Sequence, residues 1–315
     1  MKNLVFIPFA FDIQKSTGVN IKGKERAKEI YLKNICVALI SATKNAGNNC
    51  DIALVTNDII PNKFIALLEQ NGVKIIYAEF NTFNFSYEIK WSLAFYKLCA
   101  LNYVVNNLNY EKICYLDSDV FVQGKLDPIW DECIKDTILL YDINHGIQVD
   151  NYRTLLTEIT DFTSQDATGT VHYGGEFFAA NIQSAKSFNS VCLKIFQDMD
   201  KQQFTTTKGD EFIISIAAKI SSLKVRNSGA YISRYWTRSF NLTSTNYKFN
   251  PVLILHVPSE KEDGMLTLYN RYICRHKFPK KEHVWRILHL NQPRASVRLV
   301  AFIKKTSLLL KNILS

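Results

Sequence analysis

Two aspartates, Asp117 and Asp119, stand one residue apart between two apolar segments. The apolar residues before Asp117 indicate a buried parallel strand that ends at the first carboxylate. Burying an unpaired carboxylate is costly, and a divalent cation that binds both side chains offsets that cost. Oxygen ligands suit Mg²⁺ or Mn²⁺, which bind a few carboxylates together with substrate phosphates. The pair therefore predicts a metal or phosphate site, and the alternative is an ordinary surface turn.

A double glycine marks a second candidate position further along the chain. Gly174 and Gly175 interrupt an apolar, strand-like segment and are followed by Glu176. Glycines in a strand let the backbone approach a ligand closely, or they form a β-bulge. Glu176 is a candidate for binding ligand hydroxyls, and it is equally compatible with a glutamate at a sheet edge.

Two acids and a histidine complete the set of candidate residues. Asp210 and Glu211 follow Gly209 at the start of a helical pattern, where the helix dipole stabilises carboxylates. His256 ends a short apolar segment. Taken alone, His256 is read as a histidine at a strand end, and the acids as first-turn residues of a helix.

The elements that must position these residues alternate along the chain. Apolar segments predict strands at 4–11, 50–57, 73–77, 112–116, 137–141, 171–181, 223–226 and 252–256. Helical spacing predicts helices at 23–42, 62–70, 87–107, 184–199 and 210–220, while 144–171 is expected to be a loop with a short helix. This order predicts an α/β fold, a mostly parallel sheet with helices on both faces. Sites in such sheets lie at the carboxyl ends of strands, where the acid pair falls.

Composition bounds the class of protein. The 315 residues are 47% hydrophobic, enough for one large α/β domain or two small ones. The net charge of +9 favours anionic ligands or surfaces. The seven cysteines form no C-x-x-C pair, which favours reduced, packed thiols and a cytoplasmic location. No apolar run has the length that spans a bilayer.

The segment from Lys280 onward has a different character. Eight basic residues accompany one acid, Glu282, and apolar residues lie between them. A basic amphipathic helix binds anionic membrane surfaces, and the alternative is a helix packed on the domain with its basic face in water. We expect a catalytic domain over residues 1–262 and a basic helical extension over 263–315, with peripheral membrane contact through the extension.

The acid-pair segment, residues 115–122, resembles the strand-plus-metal motif of GT-A glycosyltransferases. The pattern is most similar to glycosyltransferase family 8, which includes glycogenin and bacterial lipopolysaccharide galactosyltransferases. Further segments resemble the family's motifs in the same order, at 96–98, 172–181, 209–212 and 253–256, followed by Lys261. The 172–181 segment is also similar to the double-glycine strand of blood-group-type transferases. The resemblance spans residues 1–262 and departs from the family after His256, where the usual glycine is absent.

The resemblance implies a metal-dependent sugar transfer from a UDP-sugar to a hydroxyl of a glycan or glycoconjugate, with retention of configuration. It implies Mn²⁺ or Mg²⁺ held by Asp117, Asp119 and His256. Donor contacts are implied for Lys97, Ser118, Gly174, Gly175 and Lys261. Catalytic roles are implied for Glu176, Asp210 and Glu211, with one acid of the last pair facing the anomeric carbon.

Other functions remain open at the level of sequence. An inverting GT-A transferase would use Asp210 or Glu211 as a base toward the acceptor hydroxyl. A nucleotidyltransferase would share the acid pair but usually has a glycine-rich phosphate loop near its first strand. A basic nucleic-acid-binding protein would account for the charge, although no known nucleic-acid motif supports it. A non-catalytic carbohydrate-binding module would not need the buried acids. No role is assigned to Trp91 or Trp236.

Overall fold

The computed structural model describes residues 1–11, 26–89, 91–145, 150–237 and 252–290. The strands in these segments are β1 (Asn3–Phe9), β2 (Cys50–Thr56), β3 (Val73–Tyr77), β4 (Lys112–Leu116), β5 (Val120–Val122), β6 (Thr137–Asp142), β7 (Tyr173–Asn181), β8 (Lys224–Asn227), β9 (Ile232–Arg234) and β10 (Ile254–His256). The helices are α1 (Ala27–Thr43), α2 (Asn62–Gln70), α3 (Tyr96–Asn107), α4 (Asp127–Glu132), α5 (Asp150–Thr163), α6 (Ile182–Gln202), α7 (Asp210–Ile220), α8 (Gly264–Arg275) and α9 (Lys281–Ile287).

Seven of these strands form one sheet, in the order β3-β2-β1-β4-β7-β6-β8. Neighbours are parallel except at β7, which runs antiparallel to both β4 and β6. A second sheet has β10 between β5 and β9. The predicted mostly parallel α/β sheet is therefore confirmed.

The central strands are buried on both faces, which explains their nearly continuous apolar sequence. In β1, Leu4 and Phe6 pack into a cluster with α3, α6 and α7, whereas Val5 and Ile7 pack with α1 and α2 on the other face. Successive side chains of a strand point to opposite faces, so one strand supplies both cores. The acid pair follows β4, at the centre of this doubly covered sheet.

Several predicted elements have the bounds expected from the sequence, and others differ. The helices at 62–70 and 210–220 and the strand at 73–77 are found as predicted. The helix expected at 87–107 begins later, with a 3₁₀ turn at Ser92–Phe95, because Trp91 has a left-handed backbone (φ 65°). The region 144–171, expected to be a loop with a short helix, contains α5, a helix of 14 residues. Strand β9 was not predicted, because three residues are too few to show periodicity.

The chain after β10 packs back onto the sheet layer. Met265 and Leu268 of α8 and Val284 of α9 share an apolar cluster with Val37 of α1 and Leu255 of β10. The predicted division at residues 262 and 263 stays a prediction, and residues 291–315 of the basic extension lie outside the described segments. Among the described helices, none combines the length and hydropathy that crossing a bilayer requires. All seven cysteines are free thiols, five of them buried.

Candidate active site

Asp117, Asp119 and His256 meet beyond the end of β4, although His256 comes from β10. Strand β10 pairs with β5, the strand that directly follows the acids, and this pairing sets His256 opposite Val120. His256 Nε2 lies 3.3 Å from Asp119 Oδ1 and 4.0 Å from Asp117 Oδ2. One ligand atom from each residue fits within a group whose members are all within 4.8 Å of one another. The three predicted metal ligands are thus brought together.

The surroundings of Asp119 fit a divalent cation. Its side chain is fully buried, and neither oxygen accepts a hydrogen bond of regular geometry within the described part of the chain. Lys261 Nζ lies 2.9 Å from Oδ2. Burial alone would raise the pKa of Asp119, but Lys261 and His256 lower it below the usual value. Two carboxylates with an imidazole form a donor set that Mn²⁺ accepts.

Asp210 and Lys97 form a buried ion pair between α7 and α3. Lys97 Nζ of α3 lies 3.0 Å from Asp210 Oδ2 at the start of α7. A Cβ at position 175 would lie 2.0 Å from Asp210 Oδ2 and 2.6 Å from Lys97 Nζ. The space beside Gly175 is therefore filled by this ion pair, whereas the sequence suggested room for a ligand. Burial raises the pKa of Asp210 to about 6, although Lys97 acts in the opposite direction.

Glu211, the next residue, is held by two side chains. His172 Nε2 lies 2.9 Å from its Oε2, and Arg234 Nη2 donates to Oε1 at 3.3 Å. Burial alone would raise the pKa of Glu211, but the hydrogen bond with His172 and the charge of Arg234 lower it. The Glu211 side chain keeps 22% of its surface exposed, against 5% for Asp210. Of the two acids, Glu211 is the more accessible to a substrate.

The Glu176 side chain does not face open space. Its side chain is fully buried, and Arg234 donates to it through Nε at 2.7 Å and Nη2 at 2.6 Å. His256 Nδ1 lies 3.3 Å from Glu176 Oε1. Burial alone would raise the pKa of Glu176, but Arg234 and His256 lower it below the usual value. The hydroxyl contact predicted for Glu176 is not available in this geometry, because neighbouring side chains enclose the carboxylate.

A cavity of about 370 Å³ joins these groups. Of the predicted site residues it is lined by Lys97, Asp117, Ser118, Asp210, Glu211, His256 and Lys261. Asp119, Gly174, Gly175 and Glu176 do not line it; they lie behind the lining residues. Phe9, Phe11 and Tyr31 lie on the wall formed by β1 and α1, and Trp91 and Trp236 also contribute.

The sequence did not single out Arg234 or His172. Arg234 ends β9, and its register partner in β10 is His256, so two strands distant in sequence place it beside Glu176. His172 precedes the double glycine, and its fully buried imidazole lies 3.4 Å from the Asn144 amide. For His172 the signal available beforehand was its position, since it is the first residue of the 172–181 segment.

A turn before α7 also lines the cavity and is fixed from α5. Glu158 of α5 accepts from the Thr206 hydroxyl at 2.6 Å and from the backbone and hydroxyl of Thr207. Thr207 and Lys208 then face the cavity. Helix α5, which is longer than the sequence predicted, therefore anchors this part of the cavity wall.

No protein-family model matches this chain, and no curated protein matches it by sequence. Solved structures do match. Mouse xyloside xylosyltransferase 1 is 14% identical, with 81% of this chain and 97% of that chain covered and a TM-score of 0.51. The galactosyltransferase LgtC, solved with donor and acceptor sugar analogues, is 15% identical over 91% of this chain and 99% of its own, with a TM-score of 0.54.

The chain has the GT-A fold. The bifunctional glycosyltransferase WbbM also matches, at 11% identity and a TM-score of 0.56, and this chain spans about half of its length (51%). At these identities the likeness establishes the fold and leaves individual residues to their own geometry. In the GT-A fold of this chain, the acid pair lies at the carboxyl end of a central strand, as expected for a site in an α/β sheet.

Proposed function

We propose that this protein is a metal-dependent glycosyltransferase that moves a sugar from a UDP-sugar to a hydroxyl acceptor on a glycan, with retention of configuration. The observation that carries the proposal is the apposition of two acidic groups across one cavity in a GT-A fold. Asp117, Asp119 and His256 form one group, and Asp210 and Glu211 form the other. The choice of UDP as the nucleotide rests on the resemblance in sequence.

The metal group supplies a place for the diphosphate. Asp117, Asp119 and His256 would hold Mn²⁺ or Mg²⁺, and the bound cation would stabilise the negative charge that grows on the leaving diphosphate. Lys261 lies 2.9 Å from Asp119 and also lines the cavity, so its ammonium is available to a phosphate oxygen beside the acids. The cavity thus offers positive charge where the leaving group needs it.

The opposite wall supplies a carboxylate for the sugar. Glu211 is the more exposed of the two acids, and its contacts with His172 and Arg234 keep it ionised. We assign Glu211 to the face of the anomeric carbon, where an anionic oxygen stabilises positive charge in the transition state. Asp210 faces Lys97 and fills the space beside Gly175, so its role is to shape and charge this wall.

An inverting transferase is the second candidate, and the product decides between the two. In that case Glu211 accepts the proton of the acceptor hydroxyl, which is ordinary general-base chemistry. A product anomer opposite to that of the donor would assign inversion, and the same anomer supports retention.

The test is a thermal-shift screen of nucleotide sugars with and without Mn²⁺, followed by hydrolysis and transfer assays. A ligand that binds the native state raises the melting temperature by mass action, by an amount set by its concentration relative to Kd. We expect a UDP-sugar to raise it only when Mn²⁺ is present. Absence of a shift with every nucleotide sugar would contradict the proposal.

Replacing Asp119 with Ala tests the metal group directly. We expect Asp119→Ala to lose the Mn²⁺-dependent shift and to reduce UDP-sugar hydrolysis by at least about 10³-fold, because removing an electrostatic contact of this kind costs on the order of 10²–10³ even for a single neutral donor. The matched control is Asp131→Ala, an exposed aspartate of α4. Full activity in the Asp119 variant would refute the role assigned to the acids.

We also propose that the basic extension makes peripheral contact with an anionic membrane. The support is its composition, since the eight basic residues between 280 and 311 accompany one acid. Such segments bind anionic lipid through charge and through burial of apolar side chains.

A further inference from the structure

Glu176 lies at the centre of a continuous chain of charged side chains. On one side its Oε1 is 3.3 Å from His256 Nδ1, and the other nitrogen of that imidazole is 3.3 Å from Asp119. On the other side both Glu176 oxygens accept from Arg234, whose Nη2 continues to Glu211 at 3.3 Å. The metal group and the carboxylate assigned to the sugar are therefore joined through two residues, Glu176 and Arg234.

The backbone is shaped to hold Glu176 in this position. Strand β7 is irregular between its pairings with Leu140 and Tyr141 of β6, because Tyr141 pairs with Gly174 while Leu140 pairs with Phe178. Glu176 lies in the segment between those pairings, and a β-bulge is a common device for redirecting a side chain near a site. Its carbonyl also accepts from the Asp117 backbone amide at 3.0 Å.

The neighbouring glycine makes room for the ion pair. A Cβ at position 174 would lie 1.8 Å from Glu176 Oε2 and 2.8 Å from Arg234 Nη2. Any larger residue would displace the guanidinium, the carboxylate or both. The Arg234 backbone amide further donates to the Tyr141 hydroxyl at 3.1 Å, which fixes the end of β9.

We propose that Glu176 is a positioning residue that orients His256 toward the metal and, through Arg234, orients Glu211 toward the sugar, without touching substrate itself. The carboxylate fixes which imidazole nitrogen faces Asp119, as carboxylates behind metal-bound histidines commonly do. The side-on guanidinium contact has two parallel hydrogen bonds, a geometry that restrains both partners. This inference rests on the proposed function, because it assigns roles toward the metal and the donor.

The first test measures Mn²⁺ affinity in the absence of nucleotide, by the electron paramagnetic resonance signal of free Mn²⁺. We expect Glu176→Gln to weaken Mn²⁺ binding by about 10–100-fold, the usual effect of removing a carboxylate behind a metal-bound histidine. Arg234→Lys leaves the Glu176 carboxylate in place, so its Mn²⁺ affinity should stay within about threefold of the wild type, since an indirect contact has a smaller effect. Equal affinity in Glu176→Gln and wild type would overturn the proposal.

The second test measures UDP-sugar hydrolysis and separates kcat from KM. Arg234→Lys keeps the charge but loses the fork that spans Glu176 and Glu211, so we expect kcat to fall by at least about tenfold with a nearly unchanged donor KM. A kcat equal to that of the wild type would show that Arg234 does not position Glu211. A role in structure alone would lower stability without this split between kcat and KM.

Matched controls come from the partly exposed ion pair of Arg226 and Glu132, neither of which lines the cavity. Glu132→Gln and Arg226→Lys change the same residue types, and we expect wild-type Mn²⁺ affinity and kcat in both. If Glu176→Gln does not fold, Glu176→Asp replaces it, because it keeps the charge while shortening the side chain. We expect Glu176→Asp to lose Mn²⁺ affinity as well, by a smaller factor than Glu176→Gln. Wild-type affinity in a folded Glu176→Asp, or a loss in the control pair of equal size, would count against the proposal.

The outcomes also distinguish this inference from the proposed function. A wild-type protein that neither binds Mn²⁺ nor hydrolyses any UDP-sugar refutes the function, and the inference falls with it. A wild-type protein that does both, with Glu176 and Arg234 variants that behave like the controls, refutes the inference alone.

Discussion

Asp210 and Glu211 are adjacent in sequence, yet their environments differ. Asp210 is buried beside Lys97, and burial raises its pKa to about 6. Glu211 is partly exposed, and its contacts with His172 and Arg234 lower its pKa despite the surrounding protein. Neighbouring titratable groups whose pKa values are pushed apart are typical of sites where acids have different roles. This contrast supports Glu211 as the ionised group that faces the sugar.

The raised pKa of Asp210 predicts how stability depends on pH. Its folded-state pKa, about 6, lies above the ordinary 3.8, so the folded state binds a proton more tightly than the unfolded state. The contribution of Asp210 to the free energy of unfolding is therefore present below pH 4 and declines as the pH rises to about 6. Two pKa units correspond to about 3 kcal/mol, an upper bound for this group.

Urea unfolding of wild type and Asp210→Asn between pH 4 and pH 7 measures this effect. The asparagine does not titrate, so we expect the free energy of unfolding of the wild type, relative to the variant, to fall as the pH rises. Asp131→Asn, an exposed control, should follow the wild-type profile. Parallel profiles for wild type and Asp210→Asn would contradict the assigned pKa.

At the scale of elements, β7 positions most of the charged side chains that lie beside the cavity. It is the strand antiparallel to its neighbours on both sides, and its irregular segment holds Gly174, Gly175 and Glu176. Side chains of α3, α7 and β9 occupy the space beside the two glycines, where a Cβ would otherwise lie. The strand therefore organises ion pairs between elements that are remote from one another in sequence.

Replacing Gly175 with Ala tests this packing. The added Cβ would overlap Asp210 Oδ2 and Lys97 Nζ, so we expect a loss of about 1–3 kcal/mol in the free energy of unfolding, as for other overpacked positions. Donor hydrolysis should also fall, because Glu211 follows Asp210 directly. Thermal or urea unfolding gives the first quantity and the hydrolysis assay the second.

The control for Gly175→Ala is Gly229→Ala. The nearest atom to a Cβ at Gly229 is Asn227 Oδ1 at 3.3 Å, the end of an exposed side chain. We expect a change of less than about 0.5 kcal/mol there, as for surface substitutions in general. Equal effects in the two variants would show that the space beside Gly175 does not matter.

At the scale of the whole molecule, the chain after β10 contributes to the core up to Leu290, so part of the basic segment is packed on the domain. Val284 and Leu288 pack with α1 and α8, so a truncation before Leu290 would expose apolar surface in addition to removing charge. A fair test of membrane contact removes only residues 291–315. That segment contains Arg294, Arg298, Lys304, Lys305 and Lys311.

We expect the full chain to sediment with vesicles that contain phosphatidylserine and the truncated chain to remain largely in solution. Each basic residue near an anionic surface contributes about 1 kcal/mol, and added salt should weaken binding by screening. Vesicles of phosphatidylcholine alone are the control. Binding that is equal with and without residues 291–315, or independent of lipid charge, would refute the membrane proposal, and unchanged melting temperatures would show that the truncated core is intact.

The sequence by itself determined most strands, most helices and the order of the acidic motifs. Buried parallel strands have a continuous apolar pattern, and the carboxyl ends of such strands meet at one edge of the sheet. From this alone Asp117 could be placed beside a cavity. The same local pattern could not show the left-handed backbone of Trp91, which delays the helix expected from residue 87.

Only the tertiary structure decided which charges meet. Lys97, Asp210, Arg234 and His256 lie on four different elements, and their partners follow from strand order and packing between those elements. For Glu176 the sequence suggested contact with substrate, whereas the fold encloses it between Arg234 and His256. Ion pairs between remote segments depend on distances in space, and periodicity along the chain contains no information about those distances.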